Sequence, residues 1–252
     1  MSTVKAAFLL LLFTAGIVPA WVAPAWGLVI NEIRIDQPGA DRDEFFELAG
    51  APGASLDGLS YLVIGDGAGG SGVVEAVVKL SGRQLSATGL FVAAEAGFSL
   101  GAADLVTGLN FENGDNVTHL LVRGFSGALG DDLDADDDGV LDVLPWDEIL
   151  DALALLDDPL GGDRFYAATR LGPVDGKVPP HVYRAYDGSG AWLAGAAWGE
   201  DSPGMARPAG SHVQGGGQGG MAPLPVTEPS LAWLLAAGLV LLMGWSGPRV
   251  QY

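Results

Sequence analysis

Two stretches decide the fold class: Leu28-Val29-Ile30-Asn31-Glu32-Ile33, and after it Asp43-Glu44-Phe45-Phe46-Glu47-Leu48. Each is a short run of β-branched, aromatic and aliphatic residues with polar residues interleaved, and Pro38-Gly39 lies between them. Side chains of a strand alternate between its two faces, so runs of this length and composition suit a pleated surface packed on a core. The same rhythm continues outward. Residues 59–64 end at Gly65-Asp66-Gly67, and residues 73–80 and 90–94 follow. Residues 117–122 come after Asn113-Gly114-Asp115-Asn116, whose residue types tolerate positive φ and bond their own backbone. Nowhere in 28–125 is a 3.6-residue apolar period sustained for three turns. The pattern predicts an all-β antiparallel sandwich or barrel. Further strands are expected around 164–168, 181–185 and 191–193. Residues 146–156 fit a helix face through Ile149, Leu150, Leu153 and Leu156, and fit a strand equally well.

Composition narrows the function classes. The chain has 252 residues, no cysteine and a formal net charge of -19. A basic face is what meets phosphates, so this balance argues against nucleic-acid binding. The acid is local: twelve of the 31 Asp and Glu fall between Asp131 and Asp158, where there is no Lys or Arg.

The two ends describe export. Lys5 precedes an apolar stretch over 6–13, and Ala20, Ala23 and Ala25 offer small-residue exits. This is the pattern of a secretory signal peptide over 1–25, with cleavage expected after Ala25 or Ala20. Without cysteine, the exported body, 28–209, relies on packing and metal rather than disulfides. A Gly- and Pro-rich tether over 210–225 leads into 226–252, where an apolar run over 231–245 precedes Arg249. Pro229-Ser230 suits a helix N-terminus. The run is at the short limit for a membrane-spanning helix, which takes roughly 17–25 residues, and the expectation is C-terminal membrane anchorage.

Several of these residues carry a resemblance. Val29-Ile30-Asn31-Glu32-Ile33, then Asp43-Glu44-Phe45-Phe46-Glu47-Leu48, then Leu56-Asp57-Gly58-Leu59, is similar to the opening of a lamin tail domain (LTD). The run Asn110-Phe111-Glu112-Asn113-Gly114-Asp115-Asn116-Val117 and the closing Asp201-Ser202-Pro203-Gly204 resemble bacterial members. The resemblance implies an immunoglobulin-like β-sandwich without catalytic function of its own. Leu59 stands where an aromatic is usual, and Ala49 where Tyr commonly follows Glu-Leu. The tail Val226-Thr227-Glu228-Pro229-Ser230, with the apolar run and Arg249, is similar to the PEP-CTERM sorting signal. That likeness implies processing by an exosortase-type membrane protease; Thr227 replaces the first proline, and one Arg stands for the usual basic cluster.

The strongest chemical signal is Asp134-Ala135-Asp136-Asp137-Asp138-Gly139-Val140-Leu141-Asp142. Counted from Asp134, carboxylates fall at positions 1, 3, 5 and 9, with glycine at 6 and a backbone carbonyl from Val140 at 7. That is the order of a calcium loop. Position 12 is Pro145, which cannot supply the usual bidentate carboxylate; Asp147 or Glu148 can reach in, or water can fill the place. The expected ligands are Asp134, Asp136, Asp138, the Val140 carbonyl and Asp142, within an insert over 131–147, and the expected cofactor is calcium.

Catalytic patterns are poor by comparison. His119, His181 and His212 are scattered and make no metal set. There is no Gly-x-Ser-x-Gly elbow. Gly65-Asp66-Gly67-Ala68-Gly69-Gly70 fits a nucleotide-binding spacing, but no helix follows to face a phosphate. Asn116-Val117-Thr118 has the form of a glycosylation sequon and reads as a turn entering a strand. The expectation is an exported, non-enzymatic surface or extracellular-matrix protein at the cell envelope. The alternatives are a binding module for an exopolysaccharide or surface protein, with Trp192 and Trp198 as stacking residues, and an accessory of a secreted nuclease or phosphatase.

Overall fold

A computed structural model describes residues 27–207 apart from 41, 68, 69, 161, 197 and 198. The expected signal peptide, tether and C-terminal sorting segment lie outside the described residues, as do Trp198 and His212. Eleven strands follow in order: β1 Val29–Arg34, β2 Phe45–Ala49, β3 Leu59–Gly65, β4 Val73–Lys79, β5 Leu90–Ala94, β6 Leu105–Val106, β7 Val117–Arg123, β8 Glu148–Leu155, β9 Arg170–Leu171, β10 His181–Tyr186 and β11 Ser189–Gly195. They form two sheets, ordered β11-β10-β1-β2-β5-β6 and β4-β3-β7-β8-β9. All pairings are antiparallel except the two-residue contacts β5–β6 and β8–β9. The described fold is all-β and sandwich-like.

The two sheets share one core. Ile30, Ile33, Phe46, Leu48, Phe91 and Val182 of the first sheet cluster with Tyr61, Val63, Val78, Leu121, Leu153 and Leu155 of the second. The rings of Phe46 and Tyr61 stack across the interface, with centroids 3.7 Å apart and planes 2° from parallel. The strands do not read polar on their outer faces, because those faces are covered too. Leu62, Ile64, Val74, Leu120 and Val122 of the second sheet pack under Leu133, Phe125, Leu141, Trp146 and Tyr166. The connection between β7 and β8 is therefore a lid on that sheet, and its burial explains why β3 and β7 are nearly continuous apolar runs.

The outer face of the first sheet is covered in part by polar contacts. The segment 201–207 runs over it as a strap. The buried Arg34 donates from Nε to Asp201 Oδ1 over 2.7 Å, and its Nη2 donates to the second oxygen. Glu32 accepts from the Ser202 N–H at 3.0 Å and from its hydroxyl at 2.8 Å, while Glu47 accepts from the Gly204 N–H at 2.6 Å. Asp187 accepts from the Arg207 N–H at 2.7 Å, and the Arg207 guanidinium lies 3.8 Å above the Tyr183 ring. The motif residues Asn31, Glu32 and Glu47, far from 201–204 in sequence, thus meet them in one hydrogen-bonded network.

Most predicted strands match the observed ones, and residues 148–155 resolve the helix–strand ambiguity as strand β8, whose Val117↔Leu155 to Arg123↔Glu148 register fixes it beside β7. One expected strand is absent: residues 164–168 are not in a ladder. Their polar groups go elsewhere. The Tyr166 N–H donates to Thr118 Oγ1, and Arg164 reaches the acidic loop. β6 was not expected, since two residues paired in parallel leave no pattern in the sequence.

Candidate calcium loop

Two apolar residues hold the acidic run in place. Leu133 and Leu141, on either side of Asp134–Val140, both pack into the cluster over the second sheet. Leu133 donates its N–H to the Gly72 carbonyl, and its own carbonyl accepts from the Asp142 N–H at 2.7 Å. The chain between must turn back sharply. Asp137 has φ of +54° and Gly139 of +90°, the latter a conformation that glycine adopts without a side-chain clash.

Asp134 is the hub of this turn and is fully buried. It accepts from the Gly139 N–H at 2.9 Å, the Asp138 N–H at 3.2 Å and the Tyr166 hydroxyl at 2.7 Å. Burial works to raise its pKa, but the Tyr166 hydroxyl and the two backbone donors outweigh it and hold the carboxyl below its ordinary value. Gly72 makes the burial possible: a Cβ there would stand 2.6 Å from the Asp134 Cβ.

The structure brings together three of the expected ligands. Asp134, Asp136 and Asp138 each offer a carboxylate oxygen within 4.8 Å of the others. Oxygens bound at about 2.4 Å from one calcium ion lie no more than about 4.8 Å apart, so the spacing and the all-oxygen set fit that ion. The charges already strain against one another: the Asp138 carboxylate, with a smaller contribution from burial and then Asp142, raises the Asp136 pKa. Asp142 accepts from the Ala135 N–H at 3.0 Å, which ties the end of the loop to its beginning. Val140 is two-thirds exposed, and its N–H donates to Asp138 Oδ1 at 2.8 Å.

Sequence distance hid one cation. Between Arg123 and Arg164 the chain has no Lys or Arg, yet the fold returns Arg164 to the loop. Its Nε donates to the Asp137 carbonyl at 2.7 Å, and its charge helps to lower the Asp134 pKa. Asp137, which alternation points away from the other carboxylates, accepts from the Ser71 N–H at 2.7 Å.

A second acidic group joins Asp66 and Asp115, which read as turn residues in the sequence, with Asp163, which the sequence does not single out. Asp66, Asp115 and Asp163 bring carboxylate oxygens within 4.8 Å of one another. Burial, then the charges of Asp66 and Asp163, push Asp115 up to about 6. Glu75 beside them is pushed up to about 7, by burial first and then by Glu112 and Asp66. Nothing in the spacing 66, 115, 163 signals this in sequence, because the three come from separate connections.

The other singled-out histidines, tryptophan and sequon among the described residues lie in the interior. His119 is buried, its Nδ1 2.8 Å from the Tyr61 hydroxyl, and burial drives its pKa down to about 3. His181 is buried with Nε2 2.8 Å from Glu32. Trp192 packs in the core with the Arg184 guanidinium 4.7 Å from its ring. Asn116 is buried; its amide accepts from the Asp157 and Asp158 N–H groups and donates to the Asp158 and Asp163 carbonyls, so the sequon is a turn clasp. In comparisons with known proteins, no family model, no curated protein and no solved structure matches the chain.

Proposed function

We propose that the chain is an exported, non-enzymatic surface or matrix protein whose β-sandwich presents, and is stabilised by, a calcium loop. The observation that carries this reading is the convergence of Asp134, Asp136 and Asp138 around a turn that is already built. Asp134, Asp136, Asp138, the Val140 carbonyl and Asp142 would hold the ion, with water completing a shell of six to eight oxygens. An ion there offsets the repulsion among the carboxylates and pins the lid to the second sheet. The motif resemblance supports an immunoglobulin-like, lamin-tail class of sandwich. The signal-peptide and PEP-CTERM patterns support envelope display, with the C-terminal segment as membrane anchor and exosortase-type substrate.

Titration calorimetry of the protein with calcium chloride tests the reading. One ion per chain, with magnesium bound much more weakly, is the expected result; magnesium prefers tight octahedral order and gives up water reluctantly. Heats indistinguishable from dilution at millimolar calcium would reject it. Fractionation of expressing cells tests the address, with recovery in envelope or matrix expected rather than in cytosol.

A further inference from the structure

The first sheet contains a pairing that its own electrostatics oppose. Glu32 of β1 and Glu47 of β2 are direct cross-strand partners, and both are fully buried. Like charges placed opposite one another across a ladder destabilise it. Both carboxylates also grip the strap, Glu32 at Ser202 and Glu47 at Gly204. Their surroundings differ. Glu32 has the Arg207 guanidinium beside it, with Nη2 at 3.3 Å, and His181 Nε2 at 2.8 Å. Glu47 is held by neutral donors, the Gly204 N–H and the Asn31 amide at 2.7 Å. That same Asn31 amide donates to a third acid, Asp187, at 3.2 Å.

We propose that the strap 201–207 is a pH-dependent clamp, closed while Glu47 carries the one proton that the facing Glu32–Glu47 pair must hold, and loosened when both carboxylates are ionised. Two carboxylates sharing a buried site cannot both ionise freely, and the one with cation partners keeps the charge. The groups around Glu47 agree. Glu32 faces it from β1, and Asp187 from the turn between β10 and β11. Of the basic groups nearby, Arg207 of the strap and His181 of β10 contact Glu32, Arg34 of β1 pairs with Asp201 of the strap, and His181 Nε2 also lies 3.6 Å from Asp201. Burial, and then the charges of Glu32 and Asp187, push Glu47 up to about 8 against the pull of its hydrogen bonds. For Glu32, burial is outweighed by His181 and Arg207, and its carboxyl is held below its ordinary value.

The sign follows from linkage. An acid whose pKa is raised in the closed form binds its proton more tightly there than in the open form. Closure is then most favourable below the ordinary carboxylate range and is lost progressively as pH rises to about 8. Glu32 works in the opposite direction, but at and below its ordinary carboxylate range, outside the window from pH 6 to 8 in which Glu47 loses its proton.

Hydrogen exchange on the full chain reads the strap directly. The protection factor of the Gly204 amide, referred to its intrinsic rate, should fall by up to about tenfold per pH unit between pH 6 and 8, the limit for one proton. Amides of β3 and β7 should keep their protection. Glu47→Gln, which retains an acceptor but not the charge, should flatten the dependence. Asp187→Asn should move the transition to lower pH by removing one repelling charge. Wild-type protection that is flat across this range overturns the proposal. So does an unchanged slope in Glu47→Gln, or a parallel loss in β3 and β7, which would make the effect global unfolding. If neither variant folds, the wild-type slope and its confinement to the strap decide alone.

Discussion

The Tyr166 hydroxyl donates to Asp134 Oδ2 across 2.7 Å, joining two residues 32 positions apart and closing the acidic loop onto the body. The segment 164–168 gives up a place in a sheet ladder to make this and the Arg164 contact. A hydrogen bond to a buried charged group contributes about 1.5–3 kcal/mol. Tyr166→Phe should lower stability in urea unfolding by that amount without changing the β content seen by circular dichroism. A loss within error would show that the two backbone donors suffice.

Calcium should raise the melting temperature, and chelator should reverse the rise. A ligand that binds only the native state adds RT ln(1 + [L]/Kd), about 1.4 kcal/mol at ten times Kd. Calcium sites of extracellular modules bind at roughly 10⁻⁴–10⁻³ M, and with an affinity in that range the shift should appear at millimolar calcium. Asp136→Ala with Asp138→Ala should abolish it. The doubly substituted protein should be no less stable than wild type in chelator, since the repulsion that raises Asp136 is gone.

Arg34 is the largest of the fully buried side chains, and its guanidinium faces Asp201 in a two-pronged pair. Removing one partner of a buried pair strands the other charge and costs about 3–5 kcal/mol. Arg34→Ala should therefore be among the most damaging single changes, measured by chemical denaturation. Arg34→Met combined with Asp201→Leu should recover much of the loss.

Acid should destabilise the protein through His119. Burial lowers its pKa to about 3 in the folded chain, below the ordinary value of 6.5. The unfolded chain therefore takes up the proton first. Stability from this group is complete above about pH 6.5 and is lost as pH falls toward 3, by roughly 2 kcal/mol at pH 5. His119→Gln should flatten that acid limb in a series of melts.

Strands whose residues alternate or cluster as apolar runs were legible: 59–64, 90–94 and 117–122 needed only periodicity and turn chemistry. The order of carboxylates in 134–142 was legible too, because a calcium loop is local. What escaped was everything that depends on return of the chain. Arg164 answers a loop that has no Lys or Arg near it in sequence, the preceding one being Arg123. Asp66 and Asp115 look like two unrelated turns, and Asp163 like nothing in particular, until the fold brings the three together. Glu32 and Glu47 each read as an outward polar position of an alternating strand, and the strap that buries them arrives from residues 201–207. Residues 164–168 have strand composition, but side-chain bonds to Thr118, Asp134 and Asp137 outcompete a ladder.

The ends of the two sheets bear on how densely such a molecule can be packed. β6 and β9, the last strands on one side of each sheet, are two residues long, and β4 on the other side of the second sheet has its beginning occupied by the bridge from Val73 to Asp132. An unpaired edge is a template for fibre growth, and short or covered edges deny it. Among the described strands, β4 and β11 are the long terminal ones; β4 is bridged at its start, and β11 is built mostly of Gly, Ala and Ser. A crowded array of these chains can thus hold its members side by side as separate molecules rather than fusing them into one continuous ribbon.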